Sequence, residues 1–184
     1  MRNFTAKILI ALTALVAIVA AASPAFADQT WTVTGTDSAG DGAITIGQWT
    51  CSSAITADFL PGPGAPGDGL GRIETISFSS CTNPSGITFV ISAALPWLIN
   101  AKAYSSGRTT GTITDVDLHF SGPLCNLNLG GSLDFSYDNP SHTMTWSGDL
   151  TAQNVSGCLG LIQNGETEPV SATYVFTDLT ITSP

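Results

Sequence analysis

From Trp31 onward the apolar residues recur at every second position, as in Trp31-Thr-Val33-Thr, Ile44-Thr-Ile46 and the run Val116-Asp-Leu118-His-Phe120. A period of two is the signature of half-buried strands. No long window places apolar residues at i, i+3, i+4 and i+7 among strong helix formers, so a helical bundle and a parallel α/β fold are both excluded. Turn signals punctuate the strands: Gly40-Asp41-Gly42, Asn83-Pro84-Ser85-Gly86, Ser106-Gly107, Ser121-Gly122-Pro123, Gly130-Gly131, Asp138-Asn139-Pro140 and Asn164-Gly165. The pattern predicts an all-β fold, an antiparallel β-sandwich of nine or ten strands. The Pro- and Gly-rich stretch Leu60 to Gly71 is expected to be an exposed irregular loop.

The four cysteines, Cys51, Cys81, Cys125 and Cys158, add a second constraint. They form no C-x-x-C pair and keep no zinc-type spacing to a histidine, so an even count implies two disulfides. A weak internal duplication proposes which. Gly42-Ala-Ile-Thr leads to Cys51 as Gly111-Thr-Ile-Thr leads to Cys125, and Ala57-Asp58-Phe59 answers Leu133-Asp134-Phe135. The two halves then share a cysteine spacing to within three residues, which favours Cys51–Cys81 and Cys125–Cys158 and suggests two pseudo-repeated halves.

The first 27 residues read as a secretory leader. Arg2 and Lys7 precede the apolar stretch Ile8 to Ala22, and Ala25-Phe26-Ala27 offers small residues for cleavage after Ala27. As a helix, fifteen apolar residues reach about 22 Å, short of a ~30 Å hydrocarbon core, so a retained span is the weaker alternative. Removing the leader leaves residues 28–184 as a single domain whose cations are Arg72, Lys102 and Arg108, against all 14 acidic residues. Such a surface disfavours duplex nucleic acid and anionic membranes as partners.

Several segments carry a resemblance. Ser79-Ser-Cys81-Thr-Asn83, Leu95-Pro96-Trp97, Ser121-Gly-Pro123, Val155-Ser-Gly-Cys158-Leu-Gly-Leu-Ile162 and Ile181-Thr-Ser-Pro184 together resemble a family of small secreted actinobacterial proteins of unknown function. The likeness covers nearly the whole chain after the leader. The placement of Pro96-Trp97 and of the cysteines is also similar to secreted proteins described as activators of alkane oxidation. The resemblances imply export, an all-β fold and an extracellular role without an identified catalytic site; neither carries functional residues onto this chain.

Chemistry-bearing residues are sparse. No G-x-S-x-G occurs, His119 is expected on a solvated strand face, and His142 follows a turn. Asp115, Asp117 and His119 form a row that could in principle ligate Ca²⁺, though a solvated face is the simpler reading. The run Asp37 to Asp41 partly imitates a calcium loop, but position three is Ala39 and position twelve Gln48, so it reads as a turn. Among the tryptophans, Trp49 and Trp146 are expected in the core, and Trp31 and Trp97 are the candidates for a binding surface, although for Trp97, in the apolar run Ala94 to Ile99, a strand buried on both faces is the simpler reading.

These readings lead to a non-catalytic, cofactor-free secreted or cell-surface protein with a structural or interaction role. Its expected partners are cell-wall or extracellular matrix components. The alternative is a binding module for glycans or small apolar ligands, and a secreted hydrolase comes third.

Overall fold

The structure, a computed structural model, describes residues 30–184 except 85 and 87, and of Asp37 only the backbone. The expected leader and its cleavage point lie outside the described residues. Strand β1 (Trp31–Thr34) is followed by β2 (Asp37–Ile46), β3 (Trp49–Phe59), β4 (Gly62–Ala65), β5 (Gly71–Thr82) and β6 (Val90–Ala93). Then come β7 (Trp97–Ser105), β8 (Arg108–Gly122), β9 (Cys125–Asp138), β10 (Thr143–Gly157), β11 (Thr167–Phe176) and β12 (Thr180–Thr182). The only helical piece among the described residues is a 3₁₀ turn, Cys158–Gly160.

The all-β expectation holds, but the sheet closes into an eight-stranded barrel instead of stacking as a sandwich. Its order is β2-β3-β5-β7-β8-β9-β10-β11, an up-and-down meander, and β11 returns to β2 from Val170↔Ile46 to Phe176↔Gly40. The long strands explain the closure. Bulges between Ile113 and Val116 in β8 and between Gln153 and Ser156 in β10 increase local bend and twist. A sheet coiled this strongly brings its two outer strands together, and pairing them removes both free edges.

Alternation then delivers every second side chain to the interior, where an eight-stranded barrel is just filled. Trp146 lies at its centre, 4.6 Å from the Tyr174 ring and 6.3 Å from Trp97. The Tyr174 hydroxyl donates to Ser53 Oγ at 2.9 Å, and burial pushes its pKa up to about 12. The phenol therefore stays a neutral donor reaching over Gly42 of β2 to β3.

The internal repeat survives in the fold, since β2-β3-β5 and β8-β9-β10 are equivalent runs of neighbouring strands. Gly42 and Gly111, which the repeat aligns, sit in matching places. A Cβ at Gly42 would fall 1.8 Å from the Thr173 carbonyl oxygen, and one at Gly111 would fall 2.0 Å from that of Asn100. Gly40-Asp41-Gly42 is thus part of strand β2, not a turn, because close packing against β11 demands glycine there. Both expected disulfides form, Cys51–Cys81 joining β3 to β5 and Cys125–Cys158 joining β9 to the end of β10.

A small sheet, β12-β1-β4, covers the barrel end where β8 begins and β11 ends. Asn139 fastens it by giving an N–H to the Ile181 carbonyl at 2.7 Å and accepting the Ile181 N–H at 2.9 Å, as a strand partner would. The Leu60 to Gly71 stretch belongs to this cover and is not a wholly exposed loop: it contains β4, and Leu70 and Ala65 are buried. Pro63 is accommodated because β4 is an edge strand.

One seam of the barrel is only partly laced. β5 pairs with β7 at Gly71↔Ile99, Arg72↔Leu98 and Ile73↔Trp97, and beyond Ile73 no backbone pairing joins it to β6 among the described residues. Half-buried Ile76, Phe78, Ile91 and Ala93 pack along that gap.

Candidate functional site

The barrel end opposite the cover carries both disulfides and stays open. There the hairpin turn Gly47-Gln48 brings Trp49 to the start of β3, and the turn Pro123-Leu124 joins β8 to β9. Between them lies a cavity of about 310 Å³. Buried Leu127, Ile162 and the Cys125–Cys158 bridge form its base. Trp49 and Phe89 form a side, their rings edge to face at 5.4 Å, with Phe120 behind them at 5.7 and 6.1 Å. The rim is made of Leu124, Leu159 and Leu161, exposed by 68%, 78% and 75%.

The rim leucines are held outward by the backbone. Gly157, Cys158 and Leu159 all take positive φ, at 79°, 55° and 49°, a region that β-carbon-bearing residues seldom occupy. Two hydrogen bonds set the turn: Cys158 N–H donates to the Leu124 carbonyl and Leu161 N–H to the Cys158 carbonyl, both at 2.8 Å. The disulfide anchors the same turn to β9. Left-handed backbone at buried Cys158 and at exposed, apolar Leu159 is strain, and such strain collects at binding sites. The cavity is at the small end of ligand pockets and mostly apolar, in the mouth of a barrel where such sites recur.

Polar groups at this end are few. Gln48 is exposed at the margin, and Glu168, half-buried at the start of β11, is the titratable group lining the cavity. Burial, and secondarily the neighbouring Glu166 carboxylate, push the Glu168 carboxyl above its ordinary range.

The residues singled out from the sequence fall elsewhere. Trp31 and Trp97 are 1% and 0% exposed, so neither offers a face to a ligand. Trp31 is sealed under the covering sheet, and Trp97 points into the barrel and donates its indole N–H to the Ala94 carbonyl at 2.8 Å. Trp49, expected in the core, is the tryptophan that reaches the cavity, while Trp146 is buried as expected.

Asp117 and His119 do meet on the outer wall at 3.7 Å, and His119 Nδ1 contacts Asn128 Oδ1 at 2.8 Å. Asp115 is displaced from their row by the β8 bulge, with φ 61°, and contacts the Thr114 hydroxyl at 3.4 Å. Among the described residues no three His, Cys, Asp or Glu side chains converge as for a metal ion. The Asp37 to Asp41 run is strand and not a calcium-type loop. His142 sits beside the Tyr137 hydroxyl and the Leu179 carbonyl near the covered end, away from the cavity.

Sequence reasoning does not reach Leu124, Leu159 or Leu161. A signal was present in Cys158-Leu-Gly-Leu-Ile162, where apolar residues abandon the period of two between glycines beside a cystine. Apolar residues without a period in a turn have no face to bury.

No curated protein and no solved structure matches the chain. A family model does, over residues 1–176, and the chain therefore belongs to the family described as alkane oxidation protein activator PraA/PraB-like, one named for an activating role and not for catalysis.

Proposed function

We propose that this protein is an exported, non-catalytic accessory protein of alkane oxidation, and that it holds an apolar molecule in the open end of the barrel. The observation that carries this reading is the cavity beneath Leu124, Leu159 and Leu161. Three leucines presented to water beside an aromatic-sided hollow are an apolar patch of the kind that marks ligand or partner contact. The family description supplies the alkane. Two disulfides in so short a chain fit an oxidising compartment, as export requires.

Leu159→Ser combined with Leu161→Ser tests the reading, since both side chains are exposed and such changes usually move stability by about 0.5 kcal/mol or less. Wild-type protein is expected to bind n-decane saturably, one per chain, and to speed hexadecane oxidation when added to cells that use it. The double variant should melt like the wild type and lose both properties. A variant that keeps both would remove the mouth from the function.

A further inference from the structure

We infer that the mouth cavity selects by charge: it accepts an uncharged alkyl chain, an alkane or its primary alcohol, and excludes the corresponding alkanoate. This deepens the proposed holding of an apolar molecule and rests on it.

The distribution of cations carries the inference. The three in the described residues all lie toward the covered end or on the outer wall. Arg72, at the start of β5, is paired with Asp58 at 3.3 Å and Glu74 at 2.7 Å. Arg108, the first residue of β8, faces Asp138 at 3.6 Å. Lys102, in β7, borders a shallow hollow on the outer wall with Asp134. The cavity itself is lined by one charged side chain, Glu168, with Glu166 close enough to act on it electrostatically.

A carboxylate headgroup at this rim would be desolvated beside a like charge, with no cation among the described residues to receive it, an arrangement that disfavours the ionised form of either group. A hydroxyl headgroup meets the opposite situation. Its O–H can donate a hydrogen bond to the Glu168 carboxylate, and the Gln48 amide can either donate or accept. An alkane needs neither and gains from the apolar lining alone, about fourfold in affinity for each methylene taken out of water. The site therefore retains a chain before and after it becomes an alcohol and releases it once it becomes an acid.

The experiment compares n-decanol with decanoate at pH 8, both below their aggregation limits, by calorimetric titration of the full protein. Decanol is expected to bind at least tenfold more tightly. Gln48→Lys, at an exposed turn position, should raise decanoate affinity about tenfold and change n-decane binding, which makes no use of the Gln48 amide, less than twofold, and Glu168→Gln should narrow the gap in the same direction. Equal wild-type affinity for the two ligands overturns the charge selection and leaves the holding of apolar chains intact. Continued exclusion of decanoate by both folded variants also overturns it. Failure of decanol and n-decane alike to bind removes the underlying reading together with this one.

Discussion

Removing the disulfides one at a time separates the barrel's stability from the shape of its mouth. Cys51 and Cys81 are 30 residues apart and Cys125 and Cys158 are 33 apart. In the chain-entropy model, loops of these lengths constrain the unfolded state by about 3.6 and 3.7 kcal/mol. For a chain of this size each kcal/mol moves the melting temperature by roughly 2–4 °C, so Cys51→Ala with Cys81→Ala should melt about 7–14 °C below the wild type. The other pair should behave alike, and lost sulfur packing at buried Cys51 and Cys158 adds to both. The loops do not overlap in sequence, so the losses should add to about 7 kcal/mol, a large part of the 5–15 kcal/mol that holds a domain together. The bridges differ at the cavity. Cys125–Cys158 lies in its base and anchors Leu159, whereas Cys51–Cys81 is no part of its lining. Opening the former should weaken n-decane binding, and opening the latter should not. Scanning calorimetry on both double variants and on the quadruple variant, with n-decane titrations below each melting point, provides the check. A fall under 3 °C for either pair, or equal effects on binding, would refute the reasoning.

Gly42→Ala and Gly111→Ala should each cost about 1–3 kcal/mol in urea unfolding, because a backbone carbonyl must move to admit the methyl group. Gly130→Ala, whose nearest neighbour would be 3.4 Å away, should cost less than either. Glu168 has a folded pKa raised above its ordinary 4.5, so its contribution to stability is complete below that value and is lost as pH rises through the raised one. Glu168→Gln should therefore be more stable than the wild type at pH 8 and converge on it toward pH 3.5, as read from melting curves across that range. Replacing Asp115, Asp117 and His119 by Ser, Ser and Thr should leave folding nearly unchanged, and millimolar Ca²⁺ should not raise the wild-type melting temperature. A calcium-dependent rise that vanishes in the triple variant would place a cation on that wall.

The strands and the cystine pairing were legible because both are written locally: alternation needs only neighbours, and the repeat needs only two segments laid side by side. The closure was not. A sandwich and a barrel demand the same in-out alternation, and what distinguishes them is the pairing of Val170 with Ile46 across most of the chain. Bulges are likewise silent in composition, so Asp115 reads as a member of the Asp117–His119 row until the β8 backbone is seen to turn there. The tryptophans show the limit most plainly. Trp31, Trp49 and Trp97 all begin strands, and only the position of each strand end relative to the cover or the mouth decides which ring is sealed and which borders the cavity.

The partly laced seam gives the barrel two mechanical characters. Near the cover, ladders run around the full circumference, so changing its girth would break backbone hydrogen bonds. Toward the mouth the wall is a clasp: β5 beyond Ile73 shares no backbone ladder with β6 among the described residues, and Ile76, Phe78, Ile91 and Ala93 pack against the core on either side of the gap. The Cys51–Cys81 staple makes β3 and β5 one leaf of that clasp, and the Cys125–Cys158 staple ties the β10 end to β9 on another part of the rim. The line between the leaves is therefore the part of the wall whose widening would break the fewest backbone hydrogen bonds, whereas widening the hoop beneath it would break ladder bonds.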